Sequence, residues 1–186
     1  MRLQSLCVYC GSNAGHRPAY AEAAREFACA LVAHDIRLVY GGSSYGIMGA
    51  LADEVLHRGG SVIGVIPRSL VVRERAHHGL TELRVTASMH ERKAVMAELA
   101  DGFVALPGGV GTMEELFEIW TWAQLGIHHK PCGLLNAAGY YDRLVDFLDA
   151  ATDEGFVQAA HRRMLLVATT PEDLLERLER HEPPGA

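Results

Sequence analysis

Three short apolar runs in this chain each end in a glycine-rich segment that leads straight into a helical pattern. The segments are Cys10-Gly11-Ser12-Asn13-Ala14-Gly15, Gly41-Gly42-Ser43-Ser44-Tyr45-Gly46-Ile47-Met48-Gly49 and Pro107-Gly108-Gly109-Val110-Gly111-Thr112. Strand, glycine turn and helix in that order is the junction of a βαβ unit, and its repetition calls for a parallel sheet covered by helices on both faces. The rest of the chain keeps the rhythm. Strands are expected at 3–9, 36–40, 61–66, 83–86, 102–106, 132–136 and 164–168. Helices are expected at 18–33, 46–58, from Ser88 to about 100, at 111–126, at 140–154 and from Pro171 onward. Ser88-Met89-His90-Glu91 has the capping-box form, Pro171 follows a Thr cap, and Gly59-Gly60 stops the second helix. The strands lack clean polar alternation, as strands buried on both faces do. Residues 1–181 read as a single domain and 182–186 as a flexible tail.

The 186 residues, 49% of them apolar, suffice for one real core. A net charge of −6 and a pI near 5.9 exclude a broad basic surface for duplex nucleic acid, while leaving room for a local anion pocket. No run approaches a membrane span, and Met1–Cys7 lacks the long apolar region and cleavage site of a signal peptide. A cytoplasmic protein is therefore expected. Cys7-Val8-Tyr9-Cys10 has formal redox spacing, but positions three apart on a strand face opposite sides, so core packing is expected. The ten histidines include no H-E-x-x-H, and Cys29 and Cys132 stand alone, so no metal site is expected.

Glycine-rich turns at the carboxyl ends of parallel strands let a ligand approach the backbone, and exposed helix N–H groups favour an anion such as phosphate. Gly41-x4-Gly46 starts like a P-loop, but Ile47 and Met48 stand where Lys and Ser/Thr belong. The dinucleotide pattern G-x-G-x-x-G is absent, because Gly109-Val110-Gly111 continues Thr112-Met113-Glu114. A mononucleotide or sugar phosphate fits better. Glu114 and Glu115 follow directly; helix-dipole capping is one account of them. The other puts Glu115 on the face of Thr112, over the sugar of a phosphate-anchored ligand, where a carboxylate can act on a glycosidic bond. Arg92-Lys93 reads either as a solvated pair or as a basic group that reaches the nucleotide or orients Glu115. Residues 67–82, with Arg68, Arg73, Glu74, Arg75, His77 and His78, are a functional loop or a solvated connection. Trp120 and Trp122 face different ways, one into the core and the other into the core or an interface.

The run Pro107-Gly108-Gly109-Val110-Gly111-Thr112-Met113-Glu114-Glu115 resembles the P-G-G-x-G-T-x-x-E motif of the Lonely Guy family of cytokinin riboside 5′-monophosphate phosphoribohydrolases, formerly labelled lysine decarboxylases. Cys10-Gly11-Ser12, Tyr40-Gly41-Gly42, Gly46-Ile47-Met48-Gly49, Met89-His90-Glu91-Arg92-Lys93 and Thr121-Trp122-Ala123-Gln124-Leu125-Gly126 match in family order, with Ser43 departing where a third glycine is common. The resemblance implies a Rossmann-like doubly wound sheet and a homodimer with its site near the interface. It implies hydrolysis of the N-glycosidic bond of a cytokinin riboside 5′-monophosphate or AMP, without a cofactor. By motif position it implies Arg92 and Glu115 as the catalytic pair. Glu74, Arg92, Lys93, Gly109, Val110, Gly111, Thr112, Met113, Glu114, Glu115 and Thr121 are implied as nucleotide contacts. Two other readings compete. Pyridoxal-dependent lysine decarboxylation needs a Schiff-base lysine, for which only Lys93 and Lys130 exist. A non-catalytic module for nucleotides or molybdenum-cofactor-type ligands would gain nothing from a carboxylate beside the anion.

Overall fold

A computed structural model describes residues 2–71 and 76–182. Glu74, its neighbours Arg73 and Arg75, and all of the expected tail except Glu182 lie outside the described residues. Seven parallel strands make one sheet in the order β4-β3-β2-β1-β5-β6-β7. They are β1 (Ser5–Tyr9), β2 (Arg37–Tyr40), β3 (Val62–Pro67), β4 (Glu82–Thr86), β5 (Gly102–Ala105), β6 (Cys132–Leu135) and β7 (Leu165–Ala168). The helices are α1 (Pro18–Ala33), α2 (Gly46–His57), α3 (Met89–Leu99), α4 (Val110–Gln124), α5 (Asp142–Asp153), α6 (Ala159–Arg163) and α7 (Pro171–Glu179).

The chain winds outward from β1 to β4, then crosses back to lay β5 on the other side of β1. The strand order thus reverses between β1 and β5, and a crevice opens at the carboxyl ends of such a pair. Side chains of β1 alternate between two cores. Leu6 and Val8 pack with residues of α1, α2 and α7, including Phe27, Leu51 and Leu174. Cys7 and Tyr9 pack on the other face with residues of α3, α4 and α5, including Met96, Leu116 and Leu148. The sheet is therefore doubly wound, as the chain's rhythm requires. Cys10 joins the first core and Cys7 the second, and both thiols are free.

Three local departures have plain causes. Helix α4 begins at Val110, a residue earlier than its glycine suggests, with Gly109 as N-cap. Helix α5 begins only at Asp142, because Ala138 (φ +50°) and Gly139 (φ +73°) form a left-handed turn that no α-helix admits. The short α6, Ala-Ala-His-Arg-Arg, has no apolar period to announce it. The Ser88 hydroxyl accepts from the Glu91 N–H at 3.1 Å, as expected, but Glu91 reaches back to Ala87 N–H (2.7 Å) rather than to Ser88. Among the described residues, no helix is long and apolar enough to cross a membrane.

Candidate active site

A cleft of about 480 Å³ lies at the reversal point, between the carboxyl ends of β1 and β5. All three glycine segments reach it, through Gly11 and Ser12, through Gly41, and through Gly108–Thr112. Their backbones are stacked on one another. Gly11 donates to Pro107 O (3.1 Å), and its own carbonyl accepts from Ile47 and Met48 N–H at 3.0 and 3.2 Å, which joins the first segment to the start of α2. Gly46, at φ +59°, comes so close that a Cβ there would lie 2.4 Å from the Ser12 carbonyl carbon. A Cβ on Gly108 would lie 2.1 Å from Thr112 Oγ1, whereas Cβ atoms on Gly109 or Gly111 would meet nothing within 4 Å. The third loop therefore uses one glycine for packing and two where it borders open cleft.

Arg92 rises from the first turn of α3 with only 5% of its surface exposed. Its Nε donates to Val65 O at 2.9 Å, and its Nη1 lies 2.9 Å from Glu115 Oε1. The guanidinium occupies the space that a side chain at position 41 would need, since a Cβ there would lie 2.4 Å from Nη2. Both Arg92 and Glu115 line the cleft. No solvated pair of charges exists at 92–93, because Lys93 is buried as well. Its ammonium holds Glu114 (2.6 Å) and Glu118 (2.9 Å). Burial pulls the Lys93 pKa down, but the two carboxylates outweigh that and hold it above the ordinary lysine value.

Because α4 starts at Val110, neither Glu114 nor Glu115 falls in its first turn, so dipole capping does not account for them. Glu114 belongs to the Lys93 ion pair, although it touches the cleft. Glu115 lies four residues after Gly111 and three after Thr112, hence on their face and about 6 Å further along the axis than Gly111.

Other sequence candidates sort clearly. Val110 sits at the mouth of the cleft, 88% exposed. Met113 packs into the second core and is not part of the cleft wall, while Met48 and Met89 are. Thr121 is exposed, away from the cleft of this chain, with its hydroxyl bonded to Phe117 O (2.6 Å). Trp120 is buried and donates to His161 O (3.1 Å); Trp122 is half-buried against the same core. In the long loop, His77 donates its N–H to Gly42 O (2.9 Å) and sets Nε2 2.8 Å from Asp53 Oδ1, which fastens the described part to the second glycine segment.

The lysines do not fit a pyridoxal cofactor. Lys93 is held by its two carboxylates off the cleft wall, and Lys130 donates to Ala97 O at 2.8 Å, also off the cleft wall. Cys7, Cys10 and Cys132 do not fit nucleophilic or redox chemistry: burial pushes the thiols of Cys7 and Cys10 far up and that of Cys132 to about 12. Among the described residues no group of three or more His, Cys, Asp or Glu gathers in a way that could hold a metal ion. Among the cleft residues that escaped the sequence reading are Val8 and Tyr9 of β1 and, outside the strands, Tyr20 and Tyr140. Tyr140 follows a strand at the ligand-binding edge of the sheet, and that position was the available signal.

The family model described as "Possible lysine decarboxylase" matches residues 48–178. A cytokinin riboside 5′-monophosphate phosphoribohydrolase of Arabidopsis thaliana is 50% identical over 182 residues, covering 98% of this chain and 84% of that protein. The chain belongs to the Lonely Guy family. A rice member (Oryza sativa subsp. japonica) with the same enzyme name is likewise 50% identical over 98% of this chain and 75% of its own. Beyond these Lonely Guy relatives, the molybdenum cofactor carrier protein of Chlamydomonas reinhardtii shares the fold, with a TM-score of 0.71 over 97% of this chain and 100% of that one. Its identity of 22% extends the likeness to the fold alone.

Proposed function

We propose that this protein hydrolyses the N-glycosidic bond of cytokinin riboside 5′-monophosphates, AMP, or both, releasing free base and ribose 5-phosphate. The observation that carries the proposal is the Arg92–Glu115 pair, 2.9 Å apart on the cleft wall, one helical turn beyond the glycine-bordered start of α4. The 5′-phosphate sits at that start. There the N–H groups of Val110, Gly111 and Thr112 have no intrahelical acceptor and the helix dipole favours an anion. The axial distance of about 6 Å from Gly111 to Glu115 suits the reach from a 5′-phosphate to the anomeric carbon of the same ribose.

Glu115 then faces the sugar as its C1′–N bond lengthens. Its carboxylate stabilises the oxocarbenium-like ribose and directs water to C1′, where the new C–O bond forms. The bonding pair leaves with the base, and the proton lost by water ends on the base nitrogen. Arg92 holds Glu115 in place through a bond whose donor is itself fixed by Val65 O, so the carboxylate needs no reorganisation. Met48 and Met89, soft thioethers on the cleft wall, suit an apolar substituent on the base.

The finer proposals follow from the surface and the thiols. Thr121, near the end of α4, and the exposed Leu125 and Ile127 just beyond it form a surface suited to a second copy of the chain. A homodimer that brings Thr121 toward the partner's cleft is the proposed assembly. Four free cysteines fit a reducing, cytoplasmic location. The test is chromatography of purified protein incubated with AMP, N6-isopentenyl-AMP and the matching nucleoside. Free base from the monophosphates and none from the nucleoside is the expected result. No base from any of them refutes the proposal.

A further inference from the structure

Three consecutive carbonyls approach the start of α4, and each is taken by a different donor. Leu106 O accepts from the Tyr141 hydroxyl (2.6 Å), Pro107 O from the Gly11 N–H (3.1 Å), and Gly108 O from the Tyr140 hydroxyl (2.5 Å). The first and third donors are adjacent residues of the turn between β6 and α5. That turn is itself built tightly. Asn136 receives the Tyr141 N–H on Oδ1 (2.7 Å), gives its side-chain amide to Asp142 (2.7 Å) and donates its backbone N–H to Ala168 O (2.8 Å). The left-handed Ala138 and Gly139 swing the chain so that both phenols reach the loop.

The two tyrosines differ in what surrounds them. Tyr141 is 2% exposed and belongs to the second core. Tyr140 is 40% exposed, borders the cleft and meets Tyr20 edge-on at 5.2 Å. A trans peptide is planar, with its C=O and N–H pointing opposite ways. The bond from Tyr140 to Gly108 O therefore also fixes the direction of the Gly109 N–H. No acceptor among the described residues takes that N–H.

We propose that Tyr140 is a positioning residue for the 5′-phosphate: its hydroxyl locks the Gly108–Gly109 peptide so that the Gly109 N–H joins the helix-start donors around the anion. This rests on the reading of the α4 start as the phosphate end of the site. Tyr140 touches no reacting atom in this scheme. Its effect is on how well the loop grips the phosphate before and during the reaction.

The experiment compares wild type, Tyr140→Phe and Tyr141→Phe by calorimetric binding of ribose 5-phosphate, by steady-state kinetics on AMP and N6-isopentenyl-AMP, and by thermal melting. Tyr140→Phe keeps the ring and its contact with Tyr20 while removing the donor. Its ribose 5-phosphate affinity is expected to fall by roughly fivefold to tenfold, about one hydrogen bond's worth. KM rises by the same factor, kcat and the melting temperature stay near wild type, and inhibition by free adenine is unchanged. Tyr141→Phe leaves a buried carbonyl unpaired, so it lowers the melting temperature more than it lowers affinity. Equal ribose 5-phosphate affinity in wild type and Tyr140→Phe overturns the proposal, as does a Tyr140→Phe loss confined to melting temperature or kcat. A wild type that neither binds ribose 5-phosphate nor releases base overturns the phosphate reading itself, a result distinct from a failure of Tyr140 alone.

Discussion

Two glycines three positions apart in the same loop are expected to respond to alanine in opposite ways. At Gly108 the added methyl would stand 2.1 Å from Thr112 Oγ1 and 2.9 Å from Gly11 N, and the second of these is backbone that cannot step aside. Overpacking of that kind costs about 1–3 kcal/mol. At Gly111 the methyl meets nothing within 4 Å beyond its own helical backbone, the residue is already helical, and its φ is not in the left-handed region. Alanine there restricts the unfolded chain and favours the helix, a gain of about 0.5 kcal/mol. The same methyl stands where the phosphate must approach, and a displacement of about 1 Å at a reacting centre lowers kcat/KM on the order of 100-fold. Urea unfolding and turnover of N6-isopentenyl-AMP, measured on both variants, separate the effects. Gly111→Ala should be slightly more stable than wild type and nearly inactive; Gly108→Ala should be clearly less stable. A Gly111→Ala protein with wild-type kcat/KM removes the phosphate from the start of α4, and one that is destabilised contradicts the open space described at that position.

Four further outcomes are expected. Glu115→Gln should lower kcat on the order of 100-fold or more while ribose 5-phosphate still binds, and wild-type turnover would end the assignment of Glu115. Arg92→Leu takes from the Glu115 carboxylate its ion pair and from Val65 O its guanidinium donor, so it should cost about 1–3 kcal/mol in addition to activity; unchanged urea stability refutes the buried pair. Burial raises Cys132 from 9.0 to about 12, so the unfolded chain loses that proton first. Its contribution is complete below pH 9 and fades by about 1.4 kcal/mol per pH unit up to about 12, and Cys132→Ala should show a shallower alkaline decline in urea midpoint. His128 is shifted the other way, lowered by burial from 6.5, so the unfolded chain takes up its proton first. Stability should fall as pH drops below about 6.5, and a His128→Gln variant with the same acid decline excludes that cause.

The sheet and its helices were legible because the βαβ rhythm, the Pro and Ser caps and the glycine stops are local signals. Strand order was not legible, since hydrogen-bonded neighbours such as β1 and β5 lie almost a hundred residues apart. The position of Glu115 on the cleft wall could be read from helical spacing, because α4 alone sets which side chains share the face of Thr112. Spacing alone left its partner open, since Arg92 reaches it across from α3 and a solvated pair, a nucleotide contact or an orienting group were all compatible with the residues; the family resemblance was what coupled the two. Lys93 shows the same limit: its neighbour Arg92 lines the cleft, yet Lys93 itself turns toward Glu114 and Glu118. Met113 was implied as a contact by its motif position, yet packing turns it into the second core and leaves Met48 and Met89 on the wall. Tyr140 went unseen because its function depends on a left-handed turn at Ala138, a residue type that rarely adopts one.

The two methionines on the cleft wall come from opposite layers of the molecule, Met48 from α2 on one side of the sheet and Met89 from α3 on the other. Neither belongs to the loop that opens α4. A designer can therefore treat the cleft as a fixed clamp with two exchangeable jaws. Saturating positions 48 and 89 together would survey base preference, from bare adenine to bulky N6 substituents, against an unaltered phosphate grip. Position 89, the first residue of α3 and 43% exposed, has more room, but its Sδ accepts from Arg92 Nη1 at 3.4 Å, so a change there also reaches the guanidinium. Position 48 is buried beside Gly41 and Arg92, so a larger side chain there would press on the guanidinium, and selectivity gained at that jaw is coupled to rate.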